Sequence, residues 1–245
     1  MELGALARPV PQNLEQALAE AVSAGGTLAR RLKLFAEYLA SLAPDYAATY
    51  GTLIARLSAA EGGASAPQVG DLLPDMMLAD SAGRLRTLTE LLRAGPVVIS
   101  FKRGRWCEFC RIEIDALAKA YPVIKALGAE VVSITPEIAP EFPTTDHSRG
   151  APFPLLTDVD CGYALALGVA MPLDKQLVDM LQRDGINLAE SHAGSAFILP
   201  LPATFIVAPD RRVVARFVSP DFRLRMETSD VLEALKDLAR NKSRS

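Results

Sequence analysis

FKRGRWCEFCRIEIDAL, residues 101–117, sets two cysteines three positions apart, directly after a tryptophan and at the head of a helical pattern. Just upstream, PVVISF (96–101) is a short unbroken apolar run bounded by Gly95, the pattern of a strand buried on both faces. Downstream, Ile114, Leu117, Ala118, Tyr121 and Ile124 recur at helical spacing until Gly128, a residue suited to closing a helix. The pair therefore sits where a central strand passes into a helix, with Cys107 at the helix's N-terminal end.

That position has chemical consequences. A thiol attacks as thiolate, and a free cysteine, with a pKa of ~8.5, is mostly protonated near neutrality. The unpaired N–H groups and positive dipole end of a helix favour the anion. Cys110 follows almost one turn later, close enough for the two to exchange between dithiol and disulfide. Lys102, Arg103, Arg105 and Arg111 add positive charge and Glu108 opposes it. On this reasoning Cys107 is expected to attack first, and the more shielded Cys110 to resolve the product. A structural zinc ion would need about four ligands; the remaining candidates, Cys161, His147 and His192, stand in unrelated contexts, so no metal or other cofactor is expected. Two cysteines serving only as small core side chains would be the inert alternative. Cys161 itself reads as a helix-start residue or a buried small side chain, and both histidines as solvated loop residues.

Outward from the pair, short strand-like runs alternate with helical ones, which predicts an α/β domain. MMLADSAGRLRTL (76–88) predicts a hairpin, AEVVSITPE (129–137) a second buried strand, and FPLLTD (153–158) a further segment leading to a short helix near Tyr163–Leu167. An irregular stretch follows. ATFIVAP and RRVVARFV predict paired strands joined at Pro209-Asp210, and a closing helix is expected from Ser229, as its N-cap, to Arg240. From Asn13 to Ala60 the pattern is different: apolar residues at helical spacing predict two or three amphipathic helices, broken at Gly25-Gly26 and at Ala43-Pro44. EGGASAPQVGD (61–71) reads as a linker. The expected division is residues 1–66 as a helical extension with its linker and 67–245 as the chemical domain. The apolar stripes of the extension must be buried, and three uses are open: covering a sheet edge, pairing two chains in a homodimer, or closing over the cysteines.

Of the 245 residues half are hydrophobic, and the formal net charge is -3. This composition fits a globular protein with a sizeable core, carries no basic excess for nucleic acid, and has no apolar run near the ~20 residues of a membrane span. The N-terminal sequence lacks the basic start and apolar run of a secretion signal. The expected compartment is the cytoplasm, where closely spaced cysteines point to metal binding or redox chemistry more than to structural disulfides.

The succession F-x-R-G-x-W-C-x-x-C with Glu113 three past Cys110, then V-V-S-I-T-P-E, P-F-P-L-L-T-D and P-A-T-F-I-V, resembles peroxiredoxin-like proteins of the alkyl hydroperoxide reductase/thiol-specific antioxidant (AhpC/TSA) family, from about Val69 onward. The resemblance implies a thioredoxin-like fold, a central mixed sheet flanked by helices, here with the N-terminal helical extension. It implies thiol redox activity without a cofactor, a hydroperoxide or disulfide substrate and a thioredoxin-like reductant. It also likens Pro202 to the cis-proline that faces the cysteines in thioredoxin-type enzymes. In the register that holds Phe101 and Glu113 in place, Arg103 falls where the family has proline, Cys107 where it has threonine, and Cys110 on the peroxidatic position. Pro202 replaces the arginine that normally precedes T-F-x-I, so the peroxide-activating set is missing while the dithiol set of thioredoxins is present. The candidate site is thus Cys107 and Cys110, supported by Trp106, Pro202, Arg105 and Glu113. Two enzymatic readings follow, hydroperoxide reduction and protein dithiol–disulfide exchange, beside a non-enzymatic one in which the helices make a scaffold and the pair is vestigial.

Overall fold

The computed structural model describes residues 10–138, 150–192 and 197–242; His147 lies outside them. Three helices open the chain: α1 (Leu14–Ser23), α2 (Leu28–Leu42) and α3 (Pro44–Ala59). Their boundaries follow from local chemistry. The Asn13 side chain caps α1 by accepting from the Gln16 N–H, Thr27 does the same for α2, and Pro44 takes the first turn of α3, where its missing N–H costs nothing.

The main sheet then assembles from β1 (Met77–Asp80), β2 (Leu85–Thr87), β3 (Val97–Phe101), β4 (Glu130–Thr135), β5 (Leu155–Thr157), β8 (Ala203–Val207) and β9 (Val213–Val218) in the order β2-β1-β5-β4-β3-β8-β9. β3, β4 and β5 are parallel, whereas β8 runs antiparallel to β3, so the sheet is mixed. Every residue of β3 is buried, as its unbroken apolar run predicts. Helix α4 (Leu88–Leu92) precedes β3, and α5 (Glu108–Ala126) follows it with the cysteines at its start. Gly95, between α4 and β3, is irreplaceable: a Cβ there would stand 2.1 Å from the Gly128 carbonyl oxygen.

The stretch read as irregular is more ordered than its sequence suggests. It holds α6 (Gly162–Ala166), the two-stranded pair β6 (Ala170–Pro172) and β7 (Ile198–Pro200), α7 (Lys175–Arg183) and α8 (Leu188–Ser191). The final helix, α9 (Thr228–Lys242), begins one residue before the expected cap. The Glu227 carbonyl already accepts from Val231, which places Ser229 inside the first turn.

α5 and α9 pack together, and α1 and α2 lie on α5 while α3 meets α7. Of the three uses open to the N-terminal stripe, the structure shows burial against the helix that bears the cysteines. Phe35 of α2 is fully buried edge-on to Phe109 of α5, with ring centroids 5.1 Å apart. Arg31 of α2 reaches Asp115 of α5 at 2.6 Å, and both are buried. A carboxylate from just before α9, Glu227, accepts from the first N–H groups of α2 and fastens the two ends of the chain together. No helix among the described residues is long and apolar enough to cross a membrane.

Candidate active site

The turn from β3 into α5 sets the geometry. Gly104, at φ 153°, lets the chain double back so that its carbonyl accepts from the Cys107 N–H; any Cβ there would strike the Trp106 indole nitrogen at 2.4 Å. Cys107 becomes the N-cap of α5, as expected, and its Sγ accepts from the Cys110 N–H at 3.3 Å. Both cysteines are free thiols and neither has any exposed surface.

Each sulfur has its own guanidinium. Arg103 Nη2 lies 3.1 Å from Cys107 Sγ, and Arg225 Nη2 lies 3.2 Å from Cys110 Sγ. Arg225 comes from the loop after β9, 115 residues away in sequence, and nothing local in DFRLR announces it. An arginine distant in sequence thus reaches the pair from a place other than that of Pro202.

Beneath the sulfurs lies a buried ionic network. Glu113 pairs with Lys102 at 2.7 Å and with Arg225, and it accepts from the Ser100 hydroxyl; Ser100 in turn stands 3.3 Å from Thr204 of β8. Burial alone would raise the Glu113 pKa, yet Lys102 and Arg225 hold it below the ordinary range. Satisfying all partners matters here, because an unpaired buried charge is far costlier than an exposed one.

The two thiols are not equivalent. Burial raises the Cys107 pKa well above its ordinary value, and the hydrogen bond with Cys110 adds to the rise against the opposing charge of Arg103. Cys110 is equally buried, but the Cys107 hydrogen bond and the charges of Arg225, Arg103 and Lys102 outweigh burial and bring its pKa well below the ordinary value. The shifts run in opposite directions, up at Cys107 and down at Cys110, the reverse of what the helix-end argument alone predicts. Among the influences that lower the second thiol, the Cys107 hydrogen bond leads, and the charges of Arg225, Arg103 and Lys102 add to it.

The remaining candidates divide. Trp106 is half-buried, and its ring lies 5.2 Å from the Arg103 guanidinium carbon. The Arg105 side chain is largely exposed; its backbone N–H donates to Glu137 Oε2 at 2.7 Å, and its Nε lies 4.0 Å from Glu137 Oε1. Pro202 is buried where β7 passes into β8, and no peptide bond among the described residues is cis, so the cis-proline expectation is corrected. The trans chain serves the sheet directly: the Leu201 N–H donates to Val169, and the Pro202 carbonyl accepts from Ser219. His192, read as solvated, is buried, which pushes its pKa down to about 4. Cys161 is a buried residue whose Sγ donates to the Ile198 carbonyl, and burial pushes its pKa up to about 12. Missing from the sequence reading were Arg225, the ring of Tyr50 and the ring of Phe222. The two rings lie 5.6 Å and 4.1 Å from the Arg103 guanidinium carbon.

Comparison with known proteins bears on this geometry. Residues 69–216 match the model of the AhpC/TSA family. The thiol-disulfide oxidoreductase ResA of Bacillus subtilis is 27% identical over 149 residues, covering 59% of this chain and 64% of the relative. A ResA of Geobacillus thermodenitrificans is 33% identical over 70 residues, 29% of this chain and 39% of its own length. The chain therefore spans less than two thirds of either. Among solved structures, peroxidoxin BcpB of Mycobacterium tuberculosis superposes with a TM-score of 0.51 at 22% identity, covering 70% of this chain and 97% of that one. A cysteine-to-serine mutant of peroxiredoxin 6 from Arenicola marina gives 0.52 at 15% identity over 70% and 73% of the two chains. At such identities the structures speak for the fold alone. The family match, spanning more than half of the chain and including the strand, the cysteine pair and most of the buried network, makes this protein a member of the AhpC/TSA family with a thioredoxin-like fold.

Proposed function

We propose that the protein is a thiol-dependent oxidoreductase that cycles Cys107 and Cys110 between dithiol and disulfide, with a hydroperoxide as oxidant and a thioredoxin-type dithiol as donor in a reducing, cytoplasmic setting. The observation that carries this is the Arg225 guanidinium 3.2 Å from Cys110 Sγ, in a site whose cations favour a thiolate on that sulfur. The Cys110 thiolate attacks one peroxide oxygen; the O–O bond breaks, Cys110 becomes a sulfenic acid, and the leaving alkoxide takes up a proton. Cys107 then attacks the sulfenic sulfur, water leaves, and a Cys107–Cys110 disulfide remains. Two electrons and two protons from the donor dithiol restore the pair. No cofactor enters this cycle. Glu113 acts as a positioning residue, holding Arg225 and Lys102 beside the sulfurs.

Protein dithiol–disulfide exchange is the second reading, supported by the likeness to the two ResA proteins. In it a cysteine attacks a partner's disulfide, and Trp106 and the buried Pro202 shape the docking surface. Both sulfurs are fully buried, so a partner's disulfide, like the dithiol donor of the first reading, reaches them only through local opening. Trp106, the only tryptophan in the chain, reports on either route. Rapid mixing of the reduced protein with hydrogen peroxide should change its emission far faster than a free thiol oxidises. Mixing with an oxidised dithiol should give a slower change; the opposite order of rates rejects the peroxide reading. An equally unreactive pair in both experiments would leave the scaffold reading.

A further inference from the structure

Arg103 is 1% exposed, yet only its Nη2 is hydrogen-bonded, to Cys107 Sγ; Nε and Nη1 are buried without a partner. The buried carboxylate of the site, Glu113, is paired with Lys102 and Arg225 instead. One bond to a sulfur does not fix a guanidinium, whose planar fork usually takes its direction from two or more oxygens. What surrounds Arg103 is aromatic: the ring centroids of Phe222, Trp106 and Tyr50 lie 4.1, 5.2 and 5.6 Å from its guanidinium carbon. All three are near enough for a ring face to attract a cation, and burial strengthens that attraction.

Tyr50 comes from the N-terminal helices. It stands on α3, ahead of residue 69, where the family match begins. It is 4% exposed, and its ring meets those of Phe222 and Tyr46 edge-on, at 4.8 and 5.9 Å between centroids. Polar bonds fasten α3 along and beside α7: Tyr46 donates to Asp184, Gln176 donates to Thr49, and Arg56 pairs with Asp174 at 2.9 Å. We propose that Tyr50 is a positioning residue for the dithiol, its ring closing the aromatic cage that holds Arg103 against Cys107, so that α3 is part of the active site. Burial raises the Tyr50 pKa against the lowering charge of Arg103, and the phenol stays protonated. The contact is therefore that of a cation with a neutral ring, and the ring carries it rather than the hydroxyl. What Tyr50 does in turnover, steadying the cation beside the Cys107 sulfur as that sulfur attacks the oxidised Cys110, rests on the redox reading above; its hold on Arg103 does not.

A double-mutant cycle on the full reduced chain tests this, in a Cys110→Ser background, with the rate of iodoacetamide alkylation at Cys107 read by peptide mapping so that Cys161 is set apart. Removing Tyr50 also uncovers the site and speeds access, but that effect is the same whether or not Arg103 is present. The part that acts through Arg103 vanishes once Arg103 is gone. The rate ratio of Tyr50→Leu to its parent should therefore be lower, by at least about threefold, with Arg103 in place than in the Arg103→Gln variant. Tyr50→Phe, which keeps the ring, should show no such difference. Equal ratios in the two backgrounds, or a Tyr50→Phe variant that behaves as Tyr50→Leu does, overturn the positioning role. If circular dichroism shows that Arg103→Gln does not fold, the Arg103 Nε–H resonance in nitrogen-15 NMR decides: Tyr50→Leu should shift and broaden it and Tyr50→Phe should not, and a resonance that Tyr50→Leu leaves unchanged overturns the role. Peroxide consumption by the wild-type chain separates this from the redox reading. Coupling of Tyr50 to Arg103 in a protein whose intact dithiol consumes no peroxide would keep the positioning role and reject the redox function. Rapid peroxide reduction with equal ratios in the cycle would do the reverse.

Discussion

Arg225 and Arg103 assign unequal tasks to two cysteines that the sequence presents as near equals. Removing the charge at Cys110 with Arg225→Gln should raise its thiol pKa, because an adjacent opposite charge is lost. The ultraviolet absorbance of the thiolate, followed against pH, checks this, and an unchanged titration would reject the pairing. The same assignment predicts that Cys107→Ser still forms a sulfenic acid with peroxide, trapped on Cys110 by dimedone, whereas Cys110→Ser does not react at the fast rate. Labelling confined to Cys107 would restore the helix-end argument. That argument is sound for position: Cys107 caps α5 as the strand-to-helix pattern requires. What it lacks is Arg225, because a side chain delivered from a loop 115 residues away leaves no trace in local spacing.

Among the elements, α2 is joined to α5 by the Phe35–Phe109 contact and the Arg31–Asp115 pair. Phe35→Ala should cost about 3–5 kcal/mol, the usual range for emptying a buried phenylalanine site. It should also speed alkylation of the cysteine pair, since Phe35 packs on Phe109, which lies between the two cysteines in sequence. Denaturant unfolding and iodoacetamide kinetics check the two halves; slower or unchanged alkylation would mean that α2 does not shield the site. The strands and most helices are legible because their signals are local: the unbroken apolar run of β3, Gly128 after α5, Pro44 opening α3. α7 has such signals too, in Asp174 at its N-cap, Leu177, Met180 and Leu181 on one face, and Gly185 at φ 80° beyond its end. They do not stand out because the stretch around α7 is broken into pieces of three to nine residues, too short for periodicity to show. The early start of α9 shows in the bond from the Val231 N–H to the Glu227 carbonyl, which no composition or spacing encodes.

Over the whole molecule, α1 and α2 pack on the helix that bears the two buried cysteines, and Glu227, just before α9, is joined to the start of α2. Burial also makes stability depend on pH. His192, held neutral with its pKa at about 4 against an ordinary 6.5, binds a proton less readily folded than unfolded. Its contribution is complete above about pH 6.5 and is lost as pH falls toward 4, by up to roughly 2 kcal/mol after solvent screening. Glu137 works in the opposite sense, its contribution fading as pH rises through about 7. Unfolding of wild type and His192→Gln should therefore show a fall between about pH 6.5 and 5 that the variant lacks; identical slopes would remove His192 from the account. The central claim is that Cys107 and Cys110 form one redox unit, and the direct measurement is peptide mapping by mass spectrometry after reaction of the reduced protein with one equivalent of hydrogen peroxide. The account predicts a Cys107–Cys110 disulfide within a single chain, formed far faster than a free thiol oxidises and reversed by a dithiol. A bond to Cys161, a bond between chains, or a pair still reduced at that time would contradict it.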